Sequence, residues 1–269
     1  MPHFAIEPVA VTRDLRAIRA VCDGCDGPRL EEEHIGSGRV WLLTAGAFEL
    51  RDRAGRHVVD PATMFVFGTG HAFTIRHPCG SDTCLSFSGA LPGAIAARGL
   101  GPRVPDAHDH ARLLIEVAAW RRGEGDELAL AEALCAAAAP DASTRTATRR
   151  ERALADELAY DVRVHFAETM SLASLADRAG VSMFHACRVF RRATGVGLHE
   201  FRRELRLRHA LALLVDGRAP IADVALSTGF ASQSHLTNRF RERFGMTPAR
   251  ARARGVGVVS AAGTTSRRR

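Results

Sequence analysis

The chain has 269 residues, 46% of them hydrophobic, which is enough to bury a core in each of two domains. Every one of its 37 basic residues is arginine, and against 30 acidic residues they leave a net charge of +7. No window approaches the ~20 apolar residues a membrane span needs, and six scattered cysteines do not form the dense framework of a secreted mini-protein. The N-terminal MPHFAIEPVAVTRDLRAI also lacks a basic stretch leading into an apolar run, so a cytoplasmic protein with reduced thiols is expected. The charge is unevenly spread. Residues 1–140 hold 14 arginines against 18 acidic residues, a net −4, whereas residues 141–269 hold 23 against 12, a net +11. A neutral-to-acidic module joined to a basic one points the second half toward a polyanion, nucleic acid above all.

From about Arg39 to Ser88, VWLLTAGAFELRD, RHVVDP, TMFVFGTG, AFTIRHP and DTCLSFSG are rich in aromatic, β-branched or alternating apolar residues. Turn formers such as Ala54-Gly55, Asp60-Pro61 and Gly68-Thr69-Gly70 separate them, which predicts a small β-barrel or sandwich. After Leu91-Pro92 the spacing turns helical at 111–122, with Leu113, Leu114, Val117 and Trp120 on one face, and again at 127–139. Residues 140–149 read as a linker, and 151–170 returns to helical spacing through Leu154, Leu158, Val162 and Phe166. A helix over 198–217 follows, and residues 255–269 read as a disordered basic tail. The fold class is α+β, with a β-rich domain at 1–92, a helical linker or dimerisation segment at 93–150 and an all-α domain at 151–254.

Within that last domain the chain repeats itself. LASLADRAGVSMFHACRVFRRATG (172–195) matches IADVALSTGFASQSHLTNRFRERFG (221–245), pairing Ala176 with Ala225, Gly180 with Gly229, Ser182 with Ser232 and Phe190 with Phe240. Each copy reads as a helix, a glycine turn and a second helix opened by serine. The alanine lets the helices cross closely, the glycine supplies a positive φ, and the serine caps the second helix. Ala186 and Phe190, like Leu236 and Phe240, are spaced i, i+4 and face inward.

What remains outside is suited to a major groove. The first copy leaves Phe184, His185, Cys187 and Arg188, and the second leaves Gln233, Ser234, His235, Thr237 and Asn238. Gln and Asn can bond adenine in two places, Arg can bond guanine in two, and Ser or Thr can bond either. Arg191, Arg192, Arg239, Arg241 and Arg243 lie one turn further on and suit phosphates. A helix of about 18 residues between the copies, roughly 27 Å long, would set the two reading helices about one DNA turn apart.

Residues from about 155 to 253 resemble the AraC/XylS family of bacterial transcription regulators. The second copy, GFASQSHLTNRFRERFGMTP, is similar to that family's signature through Ile221, Ala225, Gly229, Phe230, Ser232, Phe240, Phe244, Gly245 and Pro248. The resemblance implies a seven-helix DNA-binding domain with two helix-turn-helix motifs that contacts RNA polymerase and usually activates transcription. It places base contacts on Phe184, Cys187, Arg188, Gln233, Ser234, His235 and Asn238. The sequence departs from the family pattern at Cys187, a weak hydrogen-bonder, and after the final Pro, where TPARARARG lacks the usual aromatic. GRHVVDPATMFVFGTGHAFTIRHP is similar to the cupin-like sensor domains of such regulators, which implies control by a small-molecule effector, and the 111–139 helices would then serve a homodimer.

Other readings attach to the first half. Cys22 and Cys25 have the two-residue gap that lets both thiolates reach one zinc, with His34, His77, Cys79 or Cys84 as partners, which makes a metal or thiol-reactive sensor an alternative. A cupin enzyme would use His57, His71 and His77, although no His-x-His with a matching glutamate is present. Alkyl-damage repair, found in one branch of the family, would need a cysteine cluster that the surroundings of Cys22 and Cys25 do not reproduce.

Overall fold

The computed structural model describes residues 4–22, 33–76, 82–139, 147–168, 170–217 and 219–255. Among them, the first half forms two antiparallel sheets. One runs β1 (Phe4–Val11), β2 (Arg16–Cys22), β9 (Asp82–Ser88), β4 (Arg39–Ala45), β7 (Met64–Phe67) and β10 (Gly101–Arg103) in spatial order. The other runs β3 (Glu33–His34), β8 (Ala72–Arg76), β5 (Phe48–Asp52) and β6 (Gly55–Val59). Strands β4 and β7 explain the unbroken apolar runs VWLL and MFVF. Successive side chains point to opposite faces, and here both faces are covered. Trp41, Leu43, Phe65 and Phe67 meet Phe48, Leu50 and Phe73 between the sheets, while Val40, Leu42, Met64 and Val66 join a second core under the helices. The space between the sheets is filled by rings set edge to face, with Trp41 4.7 Å from Phe67 and 5.5 Å from Phe73.

The stretch expected as one strand, VWLLTAGAFELRD, breaks at Gly46, whose φ of 75° suits glycine, and becomes β4 and β5. The β1–β2 hairpin was not expected from the sequence. Its outer strand carries Pro8 at a register shift, and an edge strand tolerates a missing ladder donor.

Three helices follow β9, with β10 between the first two: α1 (Ala90–Ala96), α2 (Ala107–Arg121) and α3 (Glu127–Ala137). Helix α2 starts four residues before the expected 111 because the Asp106 side chain accepts from the His108 N–H at 2.7 Å. Its apolar stripe was expected to serve dimerisation. Leu113, Leu114 and Val117 are buried inside the chain, while Leu128 of α3, in the same 111–139 segment, is exposed. Cys25, His77 and Cys79, three of the proposed zinc ligands, and all of the expected tail but Gly255 lie outside the described residues.

Seven helices occupy the described residues after 147: α4 (Arg149–Val164), α5 (Leu172–Arg178), α6 (Met183–Thr194), α7 (Leu198–Asp216), α8 (Ile221–Ser227), α9 (Gln233–Phe244) and α10 (Pro248–Gly255). Helix α4 begins two residues before the expected start at 151. Thr148 and Glu151 form a reciprocal capping box there, and the helix ends at Val164 rather than 170.

These helices do not share one core. Helices α4, α5 and α6 pack around Leu158, Val162, Leu175 and Phe190 with the first half of α7 (Leu198, Leu205). The second half of α7 (Leu207, Leu211, Leu214) packs with α8, α9 and α10 into the core that also holds α2, α3 and the outer face of the larger sheet. Helix α7 is therefore a bar linking two lobes, and the lobe holding α9 is continuous with the strand half. Polar contacts clamp both lobes to the strand half. Arg208 reaches the Pro105 carbonyl at 2.7 Å, Arg19 pairs with Asp216 at 3.0 Å, and Arg163 pairs with Asp60 at 2.9 Å.

Candidate nucleic-acid interface

Helices α6 and α9 are built alike. Ser182 and Ser232 accept from the His185 and His235 N–H groups at 3.2 and 3.1 Å, which satisfies one orphan donor at each helix start. Gly195 and Gly245 close the helices in the left-handed region, with φ of 82° and 67°. The turns before them use Gly180 and Gly229, at φ of 64° and 81°. Ala186, Val189, Phe190 and Ala193 form the buried face of α6, and Leu236, Phe240 and Phe244 that of α9.

Phe184 is 78% exposed, and Cys187, Arg188 and Arg191 are exposed beside it, with His185 half-buried. The Arg188 guanidinium lies 3.2 Å from His185 Nδ1, so the imidazole can aim the arginine along the helix face. On α9, Gln233, Ser234, His235 and Asn238 are exposed and Thr237 is half-buried. The His235 ring meets Phe230 edge-on at 5.4 Å, which limits its orientations. An exposed phenylalanine beside hydrogen-bonding side chains suits a surface that contacts thymine methyls as well as polar base edges.

The arginines divide into two kinds. Arg192 pairs with Glu151 at 3.2 Å and Arg239 with Glu242 at 3.0 Å, exposed pairs of little net strength that can release the cation to a phosphate. Arg191 and Arg241 make no ion pair among the described residues. Arg243 differs from what the sequence suggested. Its Nε and Nη2 donate to both Glu204 oxygens at 2.7 and 3.1 Å, so its fork is committed to fixing α9 on α7. Glu204 also accepts from Arg208 Nε at 2.8 Å; desolvation raises its pKa, but the two arginines outweigh that and hold it below the usual carboxylate range. The Arg243–Glu204–Arg208–Pro105 chain thus ties α9 to the strand half. Arg208 sits within the apolar-looking run LRHALALL, and the interruption of that run by Arg208 and His209 was the only sequence sign of a buried polar junction.

Of the metal-site candidates, Cys22, His34 and Cys84 lie among the described residues. Cys22 and Cys84 lie on neighbouring strands, two positions apart in register and both buried. Burial raises the Cys84 thiol far above its ordinary pKa, which disfavours the thiolate a metal needs. Among the described residues no three His, Cys, Asp or Glu side chains form a group able to hold a metal ion. His57 and His71 do come together: both Nε2 atoms contact the Asp52 carboxylate, at 3.2 and 3.0 Å. Asp52 also accepts the Ala54 and Gly55 N–H groups, which makes it the organising group of the β5–β6 turn.

A family profile described as "Helix-turn-helix domain" matches residues 175–254, from α5 to α10. The chain is 42% identical over 81 residues to "HTH-type transcriptional regulator GlxA" of Rhizobium meliloti, a match covering 30% of this chain and 25% of that protein. It is 35% identical over 89 residues to "Probable transcription factor PqrA" of Proteus vulgaris, covering 33% of this chain and 73% of that one. It also aligns with a solved AraC-type transcriptional regulator from Chromobacterium violaceum at 26% identity and a TM-score of 0.38, over 41% of this chain and 99% of that one. The chain thus spans a quarter of one relative's length and most of another's, and the shared stretch is the one that carries α6 and α9. It belongs to the AraC family of transcription regulators.

Proposed function

We propose that this chain is a sequence-specific DNA-binding transcription regulator in which α5–α6 and α8–α9 both act as helix-turn-helix modules. Helices α6 and α9 would enter successive major grooves of one duplex. The observation that carries this reading is the duplicated frame, in which the same serine cap, glycine turn and buried phenylalanine recur while the outward residues differ. A frame kept in both copies with a different outward face in each is what two readers of different bases require. Helix α7 has 19 residues, roughly 28 Å at 1.5 Å per residue, a bar long enough to hold α6 and α9 about one DNA turn (~34 Å) apart. Arg191, Arg192, Arg239 and Arg241 supply the phosphate contacts and a salt-dependent share of affinity. Phe184, Cys187, Arg188, Gln233, Ser234, His235 and Asn238 supply base choice.

In this reading residues 1–92 form a cupin-like effector-sensing domain and 93–150 the segment that joins it to the DNA-binding domain at 151–254. The regulator works in the cytoplasm and activates transcription with RNA polymerase as its protein partner. The test is binding of the full chain to a duplex it has selected, compared with a scrambled duplex, by fluorescence anisotropy. Arg188→Ala should weaken the selected duplex by about 1–3 kcal/mol and spare the scrambled one, whereas Arg191→Ala should weaken both alike. Equal losses for both duplexes with Arg188→Ala would remove its base-reading role.

A further inference from the structure

Between the strand half and the two helical lobes lies a cavity of about 220 Å³. Its walls include Thr44 and Ala47 at the β4–β5 turn, Phe166 just beyond α4, His209 and Leu213 of α7, and Ser227 at the end of α8. One opening thus touches the strand half and both lobes that α7 joins. Few sites in the chain could sense a molecule and pass the result to both reading helices at once.

The walls expose mainly apolar surface, but Arg163 and His209 are among them. His209 is only 8% exposed and its ring stacks on Phe166 at 3.9 Å, yet its Nε2 has no hydrogen-bond partner among the described residues. Buried polar atoms are ordinarily paired, and an orphaned one lining a cavity is a recognition point for a ligand group. Burial pushes the imidazole down to about 4, so at neutral pH it is an uncharged hydrogen-bonding group. Arg163 also lines the cavity, but its guanidinium is paired with Asp60 at 2.9 Å and lies 3.4 Å from the Thr63 hydroxyl. An anionic ligand would have to compete with Asp60 for that guanidinium, and a cationic one would face it. The space between the two sheets, the other place for an effector, is filled by Trp41, Phe48, Phe65, Phe67 and Phe73.

We infer that this cavity is an effector site for a small, uncharged, ring-sized molecule that is largely apolar and carries one hydrogen-bonding group directed at His209 Nε2. The inference deepens the ligand-control part of the function proposed above. An occupant would bridge the β4–β5 turn, the end of α4 and the end of α8, and so bias the angle at which α7 holds the two lobes.

Phenol serves as the probe, with toluene as the same shape without the hydroxyl. Both are titrated into the full chain without DNA and followed by ligand-observed NMR, so the result does not depend on whether the chain reads DNA. Phenol should bind saturably with a Kd on the order of millimolar, and toluene about tenfold more weakly. His209→Phe keeps the stack on Phe166 but removes the nitrogen, and should bring the phenol-to-toluene ratio to about one. Ser227→Trp, at an exposed position on the rim, should abolish binding of both while leaving the circular dichroism spectrum unchanged. Three results would each overturn the site: no saturable phenol binding, an unchanged ratio in a folded His209→Phe, or undiminished binding in Ser227→Trp.

Discussion

Phe190 and Phe240 occupy matching places in the repeat, both are wholly buried, and the division of the core predicts that removing them has different consequences. Each phenylalanine-to-alanine change leaves a cavity the size of a phenyl ring and costs about 3–5 kcal/mol. That is a large part of the ~5–15 kcal/mol by which domains are ordinarily stable. Phe190 belongs to the core of α4, α5, α6 and the start of α7, where its ring meets Phe201 at 5.3 Å. Phe240 belongs to the core shared by α7–α10, α2, α3 and the larger sheet. In Phe190→Ala, hydrogen exchange should accelerate through 149–205 while the strands stay protected. In Phe240→Ala, protection should fall in α8–α10 and also in α2 and β4, and the main melting transition should drop by roughly 10 °C. If Phe240→Ala left the strands as protected as in the wild type, the shared core would be wrong.

Burial holds His209 at about 4 and His110 well below its ordinary value, desolvation being the first cause for both. An unfolded imidazole takes its proton near 6.5, so stability is complete above that pH and falls as the pH drops toward 4. His209 alone accounts for up to about 3 kcal/mol of the loss. The urea midpoint should therefore fall between pH 7.5 and 5, and fall less in His209→Phe; a flat profile in the wild type would contradict the burial argument. Gly229→Ala should destabilise by more than about 2 kcal/mol, because a Cβ there would meet the Ala167 carbonyl oxygen at 2.6 Å on a backbone with φ of 81°. Gly180→Ala, at φ of 64° but with open space around it, should cost only about 1 kcal/mol, and equal melting temperatures for the two variants would refute the distinction.

The repeat was legible because its signals are local. Serine caps, glycine turns and i, i+4 phenylalanines each act within one helix pair, and Ser182, Gly229 and Phe240 sit where their chemistry required. What could not be read is what depends on partners distant in sequence. Leu113 and Val117 announce an apolar face but not whether a second copy or α7 covers it. Arg243 looks like its exposed neighbours until Glu204, 39 residues away, takes up its guanidinium. The β1–β2 hairpin, with Pro8 in its outer strand, becomes a strand pair where β9 offers β2 a partner.

The most direct measurement is methylation interference on a duplex selected by the full-length chain. Two clusters of major-groove contacts on one face, centred about 10–10.5 base pairs apart, should appear, with substitutions on α6 erasing one cluster and those on α9 the other. A single cluster, or no preference for any sequence over scrambled DNA, would mean that the paired helices do not read one duplex together.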